Sequence, residues 1–124
     1  LRQAINDAIQ PVVARFDRTP LVNVVDDEEW VDAVRFEAVA RAVAEATANA
    51  LEHSTAGRVV VYAETRERGS IFASVSDDGR GFDVSAPRTR HGIDESIIAR
   101  MEAIGGGAAI RSGTDGTEVT LWTA

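Results

Sequence analysis

The 124-residue chain has no cysteine, which excludes disulfides and thiolate metal sites and leaves the redox compartment open. No apolar run approaches the roughly 18 residues of a membrane span, and no signal-peptide pattern is visible. Positive charge is scarce. Thirteen Lys and Arg against twenty Asp and Glu give a formal net charge of −7, which argues against general affinity for nucleic acid or an anionic membrane surface. Internal repeats, low-complexity tracts and interdomain linkers are also missing. The first residue is Leu1 rather than Met, so the chain is expected to be a piece of a longer protein. What remains is ordinary for a globular domain, 44% hydrophobic and 27% charged, and residues 1–124 are enough for one domain with one core.

Residues 1–16 carry apolar side chains at helical spacing, with Pro11 expected to kink the helix or begin a second one. Leu21–Val25 reads as a short strand. Asp26, Asp27, Glu28 and Glu29 then place acids where a helix N-terminus favours them, with Asp26 or Asp27 as cap. From about Trp30 to His53 the apolar residues Val39, Ala42, Val43, Ala46, Ala50 and Leu51 mark one face of the longest helix. The runs 58–66 and 71–76 are β-rich and pair as an antiparallel hairpin. Residues 83–91, with Pro87 and scattered Arg, read as a flexible loop. Gly92 then precedes a helix from Ile93 to Ile104, which Gly105, Gly106 and Gly107 stop. Residues 108–111 and 118–123 form two final strands. The order α, β, α, β, β, loop, α, β, β predicts an α+β two-layer fold, a mixed, mostly antiparallel sheet with its helices on one face.

Three polar patches stand out from this frame. Glu45, Asn49 and His53 are four residues apart, so they form one ladder beside the apolar stripe. That ladder is either a solvated helix edge or a line of ligands over a cleft, where Asn49 supplies a neutral oxygen suited to a hard cation such as Mg²⁺. Asp77-Asp78-Gly79-Arg80-Gly81-Phe82 ends a strand in two acids and turns through two glycines. It is either a tight turn with a capping Asp, or a site where Asp77 accepts from an amine while Gly79 and Gly81 let a flat ring or phosphate approach. Gly92 at a helix start, with Arg88, Arg90 and His91 just before it, is either a plain junction or an anion site. Gly116-Thr117 is a hairpin turn unless the Thr117 hydroxyl meets a ligand.

Taken together, these stretches resemble the catalytic, ATP-binding domain of two-component sensor histidine kinases, with the Bergerat (GHKL) fold. Residues 45–54 are similar to the N box, residues 77–82 to the G1 box, Gly92-Ile93 to the G2 box, and Gly116-Thr117 to the terminal Gly-Thr element. Ile97, Arg100, Met101, Ile104, Gly105 and Gly106 match the helix and glycine pair after the lid of the short-lid, nitrate-sensor-like and desaturase-sensor-like subgroup. The resemblance implies that Asp77 accepts from the adenine amino group and that Asn49 ligates Mg²⁺ bridging the ATP phosphates. It implies further that Glu45 polarises a water or holds that metal shell, and that His53 lies near the phosphates. Gly79 and Gly81 would admit the nucleotide, Arg90, His91, Gly92 and Ile93 would form its phosphate end, Thr117 would bond near the adenine, and residues 83–91 would be the lid.

The implied activity is transfer of the γ-phosphoryl group of ATP to a histidine on a separate dimerisation domain, in the same or a sister subunit. A response regulator would be served by the full-length protein. Nucleic acid and direct membrane contact are not expected of this domain, and its expected location is the cytoplasm, with anchoring of a longer chain left open. Two features depart from the pattern. Arg90 stands where the G2 box usually has its first glycine, and Asp94 and Glu95 are expected in the first helical turn, near phosphate charge. The rival readings are an anti-sigma-factor-type serine kinase and a degenerate partner-binding module without turnover.

Overall fold

The computed structural model describes residues 1–25, 32–53, 58–66, 69–78, 88–113 and 116–123, with the backbone alone described at 53, 88–94, 112 and 113. Its elements follow the expected order: α1 (Arg2–Phe16), β1 (Leu21–Val25), α2 (Ala33–His53), β2 (Val59–Thr65), β3 (Ile71–Asp77), α3 (Arg88–Glu102), β4 (Gly107–Gly113) and β5 (Gly116–Trp122). The five strands lie in the order β1-β2-β3-β5-β4. β1 pairs parallel with β2, and the other three pairings are antiparallel.

Alternation along the strands shows why the helices occupy one face. Val59, Val61 and Ala63 of β2 and Ile71, Ala73 and Val75 of β3 are buried, while their neighbours Val60, Tyr62, Phe72 and Ser74 are only partly so. Successive side chains of a strand point to opposite faces, so a period of two divides a covered from an open side. α2 packs over β2, β3 and β5, α1 packs against α2, and α3 bridges α2 and β4. The face expected for α2 is the buried one. Val39, Ala42 and Val43 are fully buried, and Ala46, Ala50 and Leu51 nearly so. Ile97 and Met101 of α3 complete the core.

Three local expectations are corrected. α1 runs through Pro11 as a single helix, so of the two expectations for Pro11 the start of a second helix is the one overturned. Pro11 and Asp7, whose carbonyl loses its donor, both lie on the exposed side, where that oxygen is open to solvent. The cap of α2 is Asp32, not Asp26 or Asp27, which lie outside the described residues. The Arg35 amide donates to Asp32 Oδ1 at 3.0 Å, the bond of an N-cap to its third helical residue. α3 starts at Arg88, so Gly92 lies inside the helix rather than opening it. Glycine carries a propensity penalty of about 1 kcal/mol in a helix but keeps its N–H, and Pro87, just ahead in sequence, is a residue that favours helix starts. At the other end of α3 the glycines act as expected. Gly105 adopts φ 80°, and the amides of Gly105 and Gly106 donate to the carbonyls of Glu102 and Met101. This is the paired closure of a left-handed C-terminal glycine.

Candidate functional site

The register of the sheet assembles one end of the site. Asp77 is the last residue of β3 and lies between Val59 of β2 and Thr117 of β5. Two residues far apart in sequence are thus directly opposed, at the Cβ separation of about 5 Å typical of cross-strand neighbours. Thr117 is buried and Asp77 half-buried. Gly116 holds them close. Its φ is 134°, and a Cβ there would overlap the Asp77 carbonyl oxygen, so only glycine lets the two backbones approach this nearly. The second acid has a different task. Asp78 is exposed, its Oδ1 accepts from the Arg58 amide at 3.1 Å, and its own amide donates to the Arg58 carbonyl at 3.3 Å. It ties down the start of β2, which separates it from Asp77 as a turn residue.

The ladder on α2 reaches the same end of the sheet. Residues 54–58 connect His53 to Val59, and those six Cα steps span at most about 20 Å. The C-terminal end of α2 therefore stands within that reach of the Val59–Asp77–Thr117 row. Arg18 reinforces that helix end by donating to the Leu51 carbonyl at 3.4 Å, favourable against the partial negative charge there. Asn49 is 5% exposed, and its Oδ1 is buried without a hydrogen-bond partner among the described residues. That disposes of the solvated-edge reading for Asn49. A buried carbonyl oxygen without a donor costs about 1–3 kcal/mol, and a bound ion, a ligand or an ordered water would satisfy such an orphan. Glu45, one turn earlier and partly buried, accepts from Ser96 Oγ at 3.4 Å and lies 3.8 Å from an Arg100 nitrogen.

The orphaned Asn49 oxygen fits the donor chemistry of Mg²⁺, which takes oxygen ligands and keeps most of its shell for water and phosphate. Among the described residues no group of three His, Asp or Glu could hold a metal by itself. For His53 the backbone lies in the last turn of α2. Gly79 and Gly81 lie outside the described residues. Arg90, His91, Gly92 and Ile93 all fall within the first turns of α3. Because the first four amides of a helix lack intrahelical acceptors, the anion-ready end lies at Arg88–His91, one turn before Gly92. Asp94 and Glu95 lie past the first turn, where their opposition to a bound anion is weaker than expected. The residues not foreseen as partners of the site are Ser96 and Arg100. Their four-residue spacing on α3 was legible, but which helix they face was not.

No protein-family model matches the chain, and no curated protein matches it in sequence. Solved structures do match it in fold. The blue-light activated histidine kinase of Erythrobacter litoralis EL346 superposes with a TM-score of 0.72 at 22% identity, covering 96% of this chain and 40% of that one. The Acinetobacter baumannii histidine kinase AdeS gives 0.73 at 15% identity over 99% of this chain and 64% of that one. The mycobacterial sensor histidine kinase MprB gives 0.69 at 18% identity, over 98% and 92%. The chain spans less than two thirds of the first two proteins, and it has the fold found in histidine kinase domains.

Proposed function

We propose that residues 1–124 bind Mg-ATP and supply its γ-phosphoryl group to a histidine on a separate phosphoacceptor domain, as the catalytic part of a two-component sensor histidine kinase. The observation that carries the reading is the buried, unpartnered Asn49 oxygen on a helix ladder at the same sheet end as the opposed Asp77 and Thr117. In this reading the Asp77 carboxylate accepts from the exocyclic amine of adenine, and the Thr117 hydroxyl bonds beside it. Asn49 and Glu45 hold the metal shell, while His53 and the first turns of α3, from Arg90 to Ile93, face the phosphates. Gly79 and Gly81 keep the approach to the base clear. A Mg²⁺ ion held there would supply charge neutralisation to the phosphates. The acceptor imidazole nitrogen forms the N–P bond as the β–γ bridging P–O bond breaks, and ADP departs with the electron pair. The protein's contribution is position and electrostatics.

Calorimetric titration with a non-hydrolysable ATP analogue and Mg²⁺ tests the reading. Asp77→Asn replaces a charged acceptor and should weaken binding by about 1.5–3 kcal/mol, roughly ten- to a hundredfold. Equal affinity in both proteins would sink the assignment of Asp77 to the base.

A further inference from the structure

We infer that Arg100, assisted by Ser96, is a positioning residue that orients the Glu45 carboxylate, so that α3 sets the geometry of the metal-bearing face of α2. The inference rests on the Mg-ATP reading of the site. Ser96 and Arg100 are four residues apart on α3 and so share a face. Both meet the same atom, Glu45 Oε2, at 3.4 and 3.8 Å. Among the described residues, Oε1 receives no comparable bond. One oxygen is thus anchored from α3, which leaves the other for a water or metal shell beside Asn49.

The pair is neither a surface ion pair nor a sealed one, with side chains 27% and 35% exposed for Glu45 and Arg100. Arg100 Nε is buried without a hydrogen-bond partner among the described residues. An apolar side chain would fill that place without stranding a donor, so packing alone does not account for a guanidinium. Its planar fork does. Its several N–H donors lie in one rigid plane and hold a carboxylate oxygen in a fixed direction, and the 3.8 Å separation leaves room for Arg100 to draw in on Oε2 when the site is filled. Residues that orient a ligand from behind typically alter function by about 10–100-fold when removed.

The test uses autophosphorylation of the full protein with its phosphoacceptor, alongside nucleotide titration. Arg100→Ala is expected to lower kcat by about tenfold or more while ATP affinity changes far less. Arg100→Lys, which keeps the charge, should restore part of the loss, and Ser96→Ala should give a smaller loss of the same kind. In a Glu45→Ala background, Arg100→Ala should have no further effect, because a residue acting only through Glu45 has nothing left to position. Equal, multiplicative losses in both backgrounds would overturn the inference. So would a fall in affinity, turnover and melting temperature together, which marks a structural role. A wild-type protein that binds no nucleotide would instead overturn the Mg-ATP reading itself, and this inference with it.

Discussion

Single atoms at the site carry opposite demands of stability and function. Asn49 Oδ1, buried and unpartnered, destabilises the protein whenever nothing bonds to it. Leucine has nearly the same shape without the polar oxygen. Asn49→Leu is therefore expected to leave stability unchanged or raise it by up to about 1 kcal/mol, while abolishing the Mg²⁺-dependent part of nucleotide affinity. Urea denaturation and titration with and without Mg²⁺ check both halves. Loss of stability with metal dependence intact would mean that the oxygen is structural. Gly116 shows the converse. Its φ of 134° and the Asp77 carbonyl against it leave no room for a Cβ, so Gly116→Ala should lower stability by more than the about 1 kcal/mol typical of a glycine replaced where space exists. The expected result is a shift in denaturation midpoint together with weakened nucleotide binding, since the same contact holds Thr117 opposite Asp77.

At the scale of elements, the open face of the β2–β3 hairpin is organised by charge. Arg66 Nε donates to Glu64 Oε1 at 2.6 Å, and Tyr62 Oη donates to Oε2 at 2.9 Å. The hydrogen bond from Arg66 first, then that from Tyr62, holds the Glu64 carboxyl below its ordinary range. Because its folded value is depressed, its contribution to stability is present above the ordinary value near 4.5 and is lost as pH falls through the folded value. Tyr62 has the opposite sign. Its hydrogen bond to Glu64 raises it, so its contribution is present below about 10 and is lost as pH rises beyond that. Glu64→Gln is expected to flatten the acid limb of the stability–pH curve, read from denaturation midpoints between pH 7 and pH 3. An unchanged acid limb would show that the ion pair carries none of it. The same hairpin was legible in sequence, as were the buried face of α2 and the glycine stop of α3, because period and turn chemistry are local properties. The cap of α2 was not, since Asp26, Asp27 and Asp32 all qualify as caps and only the helix start selects Asp32. The start of α3 was missed because Gly92 suggested a break, yet a helix tolerates glycine at modest cost. Opposition of Asp77 and Thr117, and contact of Glu45 with Ser96 and Arg100, depend on register and helix packing that no spacing encodes.

For the whole molecule, a net charge of −7 opposes a polyanionic nucleotide at long range. In the proposed function, binding therefore rests on local groups: the α2 ladder with a metal ion, and the N-terminal amides of α3. A ligand at a hundred times its Kd stabilises the folded state by about 2.7 kcal/mol, which corresponds to a rise in melting temperature on the order of 10 °C for a domain of this size. Mg²⁺ with an ATP analogue should produce such a rise, and chelation of the metal should remove much of it. Turnover is a separate matter. The chain holds two histidines, His53 and His91, and the proposed function places both beside the phosphates as parts of the donor site rather than as acceptors. Residues 1–124 incubated alone with γ-labelled ATP should thus bind nucleotide yet acquire no acid-labile label, and adding the phosphoacceptor domain should bring the label onto that domain. A phosphohistidine at position 53 or 91 of the isolated chain would refute this division between donor and acceptor, and with it the assignment of these residues to the nucleotide site.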